Sequence, residues 1–297
     1  MNISKCRRAL APYGFIAPFV VTFAVFLAYP LIQSVLLALH QTSGPQHSRF
    51  VGLSNFKYLL SDPLFKRAMI NTCIFAAGSL FIQLPCSLGL AMLLNRKDIR
   101  GRAFWRLILF SPSLVGLVFV AMIFALIFQK NTGLLNVWLH QITAGGFDLE
   151  FAWLETYIMP ALILAALWMY AGFNMVYFLA ALQNVDRGLI EAAMVDGAGP
   201  FKQFWHITLP AIRPIGTFIA LLSLIGSFQL FELPWILLNG SGGPNNRGLT
   251  VVMYLYQKGF QQGDLGYASA IGWAMALVLL GFALIQRQIA RHEEKLS

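Results

Sequence analysis

The chain has 297 residues, of which 58% are hydrophobic and only 11% charged, with a mean hydropathy of +0.68. Soluble domains keep roughly 45–50% apolar and about 25% charged residues, so lipid is the solvent for most of this surface. The net charge of +9 would suit nucleic acid, but no cluster of Lys and Arg interleaves with aromatics on a polar surface, and a nucleic-acid partner is excluded.

A helix that crosses a bilayer core of roughly 30 Å needs about 20 residues. Apolar runs at about 13–39, 68–94, 107–129, 157–182, 214–238 and 267–286 therefore predict an all-α polytopic membrane protein with six transmembrane helices, one domain over 1–297. Lys5, Arg7 and Arg8 ahead of the first run resemble a secretory signal. The run from Phe15 to Leu39 is much longer than the roughly 7–15 apolar residues of a cleaved signal, so a retained helix is expected. Pro30, Pro85 and Pro112 lie in or near the spans, where kinks facing protein neighbours are tolerated.

The basic residues set the orientation. With both termini in the cytoplasm, the inner segments hold Lys5, Arg7, Arg8, Arg96, Lys97, Arg100, Arg102, Arg106, Arg187, Lys202, Arg213, Arg287, Arg291 and Lys295, two thirds of the 21 Lys and Arg. Cys6, Cys73 and Cys86 are too few and too badly spaced for a disulfide framework. His40, His47, His140, His206 and His292 contain no pair at ligand spacing, so no metal site is expected.

Between the fourth and fifth runs lies Gln183 to Arg213, long for a plain connector. Asp186 can N-cap a short helix with Leu189, Ala192, Ala193 and Asp196 on one face, and Gly197 stands where a left-handed C-cap belongs. A second helix starts at Pro200, places Phe201, Phe204, Trp205 and Thr208 at i, i+3, i+4 and i+7, and is expected to stop at Pro210. Such an aromatic patch needs either a partner protein or the headgroup layer of the membrane to cover it.

Glu191-Ala192-Ala193, Gly197 after three intervening residues, and Ile207-Thr208-Leu209-Pro210 resemble the "EAA" loop of binding-protein-dependent ABC importer permeases. The form DGAGPFKQFWHITLP is similar to the carbohydrate branch. Leu238-Asn239-Gly240-Ser241-Gly242-Gly243-Pro244, with Thr250 and Tyr254 to Tyr256 beyond it, resembles the outer loop of the maltose-type first permease. The resemblance implies a cytoplasmic coupling helix-turn-helix seated in a separate ATPase, with Glu191, Ala192, Ala193, Asp196, Gly197, Ile207, Leu209 and Pro210 as coupling residues. It also implies a second homologous permease, two ATPase subunits that hold ATP and Mg, an extracytoplasmic sugar-binding protein, and the bacterial inner membrane as location. The outer loops Gln41 to Lys66, Lys130 to Glu155 and Asn239 to Gly266 would receive that binding protein.

No Gly-Lys dipeptide occurs, so the chain lacks a P-loop, and it has neither a GxSxG elbow nor an HExxH pair. No catalytic residue and no cofactor of its own are expected. For a substrate pathway, Glu232 is the one acid well inside a run, placed in the outward part of the fifth helix with Gln229 a turn before it on the same face. On the fourth run Tyr170, Asn174 and Tyr177 share a face, with Trp168 near. Carboxylates and amides that meet hydroxyls, beside rings that cover CH faces, suit a sugar, although polar groups in spans also serve to join helices. Gly266, Ala270 and Ala274, and Gly272 with Ala276, make small-residue stripes suited to close packing. The other class compatible with these features is an ion- or proton-coupled secondary transporter, for which Glu232 would have to be the coupling charge.

Overall fold

The computed structural model describes residues 15–42, 44, 48–96 and 98–294. Lys5, Cys6, Arg7, Arg8, His47, Lys97 and Lys295 lie outside the described residues, as do the side chains of Arg291 and His292.

In chain order, α1 (Phe15–Ala38) leads into a two-stranded antiparallel ribbon, β1 (His40–Thr42) and β2 (Ser48–Phe50). Then come α2 (Ser54–Ser61), α3 (Pro63–Asn95), α4 (Arg102–Leu114), α5 (Leu117–Ile127), α6 (Leu134–Ile142) and α7 (Ile158–Gln183). The remainder comprises α8 (Arg187–Val195), α9 (Pro200–Phe228), α10 (Glu232–Leu237), α11 (Val251–Tyr256) and α12 (Leu265–Glu294). Helices α1, α3, α7 and α9, and Leu265–Gln288 of α12, are each long and apolar enough to cross a membrane, and α4 with α5 makes a sixth if that bent pair counts as one.

The third span, expected over 107–129 with a kink tolerated at Pro112, is broken more sharply than a kink. Its two halves meet at 96°, because a 3-10 turn containing Pro112 hands the chain to extended backbone at Val115 and Gly116. The fifth span also differs from 214–238. Pro210 does not stop the preceding helix: α9 runs unbroken from Pro200 to Phe228, then breaks over 229–231 before the short α10.

Why Pro210 is tolerated follows from a device used three times. Five-residue π turns at Ala24–Ala28, Ser79–Gln83 and Phe204–Thr208 each end two residues before a proline: Pro30, Pro85 and Pro210. Proline brings no N–H to the helix and its ring crowds the carbonyl of the turn before it. Widening that turn moves the carbonyl aside while the backbone stays bonded, as when Leu209 N–H reaches back to the Phe204 carbonyl.

Contacts group the described residues up to Asp62 with Leu255–Ala274, and Pro63–Tyr254 with those from Met275. In the first unit the Tyr267 hydroxyl donates to the buried Asp62 carboxylate at 2.6 Å, and Gly266 N–H donates to the Thr42 hydroxyl at 2.9 Å. A Cβ on Gly266 would lie 1.9 Å from the His40 carbonyl, so this member of the small-residue stripe is there for close approach.

In the second unit α7 is the hub. Over half of its span window, 56%, is buried inside the structure, against 11% for α9. Its upper half packs with Phe75, Val120, Phe124, Leu233 and Leu237, and its lower half with Leu84, Ala91, Leu94, Ile212 and Ile219. Gly172 admits the backbone of α4, since a Cβ there would sit 1.7 Å from the Leu109 carbonyl oxygen. Cys73 and Cys86 are free and exposed on α3, in keeping with lipid-facing positions.

Candidate functional site: a polar cavity in the bundle and a capped knob at its end

Helices α3, α5, α7 and α9 enclose a cavity of about 380 Å³. Tyr170, Phe173 and Asn174 of α7 line it, with Phe75, Ser79 and Gln83 of α3 opposite and Ser223, Gly226 and Ser227 of α9 beside them. Gln229, Leu230 and Glu232 enter from the break that follows α9. Gln229 and Glu232 thus share a cavity without sharing a helical face, and the single fifth helix expected to carry both is replaced by two segments.

The break has its own fastening. The Thr250 hydroxyl donates to the Leu230 carbonyl at 2.8 Å, and the Thr72 hydroxyl accepts from Val251 N–H at 3.1 Å. The buried Asn71 carboxamide donates to the carbonyls of Asn246 and Leu249 at 2.8 and 2.9 Å, which holds the glycine-rich 238–249 loop against α3. Gly240 and Gly243 take positive φ there, as the tight turns require. Sequence reading missed Asn71 and Thr72, which stand in no recognisable motif, and noted Thr250 only as part of the outer-loop resemblance, not as the fastening of the break.

Within the cavity three of the polar side chains already bond to protein. The Ser79 hydroxyl donates to Gln83 Oε1 at 3.1 Å and the Ser227 hydroxyl to the Ser223 carbonyl at 2.7 Å. Asn174 is 5% exposed as a residue, and its carboxamide lines the cavity beside Tyr170, Gln229 and Glu232. Its amide stays accessible through the cavity and is free to bond to a polar occupant there. Glu232 is the only carboxylate on the wall, and no Lys, Arg or His lines it. Of the remaining expected residues, Trp168 sits edge-on to Phe124 and Tyr177 edge-on to Phe173, both exposed and neither on the cavity wall.

At the other end of α7 the chain forms a capped knob. The Asp186 carboxylate accepts from Gly188 N–H at 2.8 Å and starts α8. Gly197 takes φ +76°, with Gly197 N–H to the Met194 carbonyl and Ala198 N–H to the Ala193 carbonyl, a paired C-terminal cap. Gln203 Nε2 donates to the Ala198 carbonyl at 2.6 Å and ties the start of α9 to that turn. Glu191, Ala192 and Asp196 are exposed, as are Leu189, Met194, Val195, Phe201 and Trp205, whereas Ala193 is half-buried. Ile207 and Leu209 turn inward and pack with Ile190 on the lower core beside Leu94, Leu182 and Ile212. Those two residues root the knob in the bundle; they are not part of its outer face. Pro210 follows on the exposed side of α9.

Residues 83–295 match the model of a family described as the binding-protein-dependent transport system inner membrane component. The chain belongs to this family. It is a multi-pass inner-membrane permease component, and catalysis of ATP hydrolysis is not among its own activities. The arabinooligosaccharides transport system permease protein AraP of Bacillus subtilis (strain 168) is 40% identical over 286 residues, which cover 95% of this chain and 89% of AraP. The lactose transport system permease protein LacF of Rhizobium radiobacter is 31% identical over 281 residues, 94% of each chain. Among solved structures, a chain of a bacterial ABC transporter involved in the import of the acidic polysaccharide alginate superposes with a TM-score of 0.82 at 26% identity, covering 97% of this family member and 98% of that chain. No group of His, Cys, Asp or Glu able to hold a metal occurs among the described residues.

Proposed function

We propose that this chain is the sugar-conducting permease of an ATP-driven importer, and that the cavity around Asn174 and Glu232 is where the sugar is held. The grouping of the Asn174 amide with Glu232, Tyr170 and Phe173 on one cavity wall is the observation that carries the reading. Hydroxyl groups satisfy an amide and a carboxylate together, and ring faces cover the CH surfaces of a pyranose or furanose. The names of AraP and LacF support carbohydrate as the cargo.

The charge of the wall narrows the class. With one carboxylate and no cation, the cavity favours an uncharged oligosaccharide over one that carries carboxylates or phosphates, since burying an anion beside Glu232 has no compensating partner.

Around this chain the assembly comprises a second homologous permease, two ATPase subunits that bind ATP and Mg, and an extracytoplasmic binding protein. In this reading both termini and the 186–210 knob face the cytoplasm, and the resemblance of the 238–244 loop supports placing the chain as the maltose-type first permease of the pair. The knob seats in the ATPase through Glu191, Ala192 and its apolar tip, while Ile207 and Leu209 pass the motion to α7 and α9.

The experiment is uptake by the full complex in proteoliposomes, comparing a neutral arabino-oligosaccharide with one of equal length that ends in a uronic acid. Transport of the neutral sugar that falls tenfold or more in Glu232→Gln and Asn174→Ala, with the uronate excluded by the parent, is expected. Unchanged uptake in both variants would remove the cavity from the pathway.

A further inference from the structure

The nine-residue helix α6, which follows the third span, has two faces with different surroundings. Inward, Asn136 is fully buried; its Nδ2 donates to the carbonyls of Leu149 and Phe151 at 2.9 Å each, and its Oδ1 accepts from Trp153 Nε1 at 2.5 Å. His140 Nδ1 lies 2.7 Å from the Phe147 carbonyl on the same side. Outward, Leu134, Val137, Trp138, Gln141 and Ile142 follow i, i+3, i+4, i+7 and i+8, and Leu134, Trp138 and Ile142 are 66%, 58% and 62% exposed.

We propose that this outward face of α6 lies in the headgroup layer of the bilayer at the end of the third span. Three observations select lipid over a protein partner. Residues 131–147 contain no Asp, Glu, Lys or Arg, so no charged side chain on α6 resists burial at the bilayer surface. Lys130 on one side and Asp148 and Glu150 on the other bracket that uncharged stretch, as expected where a segment sinks to the headgroup level.

The third observation is continuity. Only the residues between Ile127 and Leu134 separate α6 from α5, and α5, the second half of the bent third span, exposes Phe119, Met122 and Leu126. So short a link keeps α6 at the bilayer surface. Trp138, with an apolar body and one N–H, suits that depth. The buried bonds of Asn136 fix the helix rotation, so its apolar stripe stays outward and the aromatic segment of Phe151, Trp153 and Tyr157 is held beside the start of α7. This inference needs only that the bent α4–α5 pair crosses the membrane as the third span and is independent of which solute is carried.

The test places a nitroxide at Trp138→Cys or Ile142→Cys of the full complex in phosphatidylethanolamine and phosphatidylglycerol nanodiscs, with Cys6, Cys73 and Cys86 replaced by Ser. Collision rates with oxygen and with a water-soluble nickel chelate are compared with those at Ala144→Cys. An oxygen-to-nickel ratio several-fold above that of position 144 is expected. High nickel access would show a solvated helix, and protection from both reagents would show a covering protein; either overturns the proposal. Should the cysteine-free complex fail to assemble, quenching by dibrominated lipid is measured on the native chain and on Trp138→Phe. The difference spectrum must then be strongly quenched, and an unquenched difference overturns the assignment equally.

Discussion

The Thr250 hydroxyl donates to the Leu230 carbonyl at 2.8 Å, and so one side chain from beyond the glycine-rich loop satisfies a backbone acceptor opened by the break in the fifth span. Both residues are buried, at 1% and 5% exposure, where water cannot substitute. Thr250→Val keeps the shape and removes the donor. It should lower the stability of the solubilised complex by about 1–3 kcal/mol, seen as a lower thermal midpoint, while Thr250→Ser stays close to the parent.

Gly172 makes a sharper demand. A Cβ at this position would stand 1.7 Å from the Leu109 carbonyl oxygen, which belongs to backbone and cannot swing aside, whereas Gly89 has nothing within 4 Å. Gly172→Ala should therefore force α4 away from α7 and cost about 1–3 kcal/mol or more as an overpacked contact. Gly89→Ala should be tolerated. Monodispersity and yield of the two variants in detergent provide the comparison, and equal behaviour would mean that α4 does not approach α7 so closely.

For the knob, conformation and contact can be separated. Gly197 sits at φ +76° with open space where a Cβ would be, so Gly197→Ala introduces left-handed strain of about 1–2 kcal/mol without a clash. Glu191→Arg leaves the backbone alone and reverses an exposed charge. Both should weaken retention of the ATPase on the purified permease pair, with the fold retained by thermal melting. Normal ATPase retention and transport in both variants would refute the coupling role. Leu209→Ala, which cuts the root of the knob and not its face, should leave retention intact and lower the transport obtained per ATP hydrolysed.

How much of this was legible beforehand depended on whether a residue acts within its own helix turn. Asp186, Gly197 and Pro200 are local signals, and each does what its position predicts: cap, left-handed stop and first-turn proline. Hydropathy located the membrane helices but could not find the break in the fifth span, because Leu230 and Phe231 are as apolar as the helix they interrupt. The break there is stabilised by Thr250, twenty residues away in sequence. Pro210 read as a terminator because the π turn that absorbs it leaves no mark in composition. Ser79, Ser223 and Ser227 were overlooked since serines in apolar helices commonly bond to their own backbone, as Ser227 does. Their place on the cavity wall is a property of how α3 and α9 face α7.

The account rests on this chain moving sugar on energy supplied by another subunit. Uptake of a labelled neutral oligosaccharide should be measured in proteoliposomes that hold this permease with its partner permease, its ATPase and its binding protein. Transport is predicted to require ATP on the ATPase side, to persist when ionophores collapse all ion gradients, and to cease when the ATPase is left out. Uptake that continues without ATP and stops with the ionophore would contradict it.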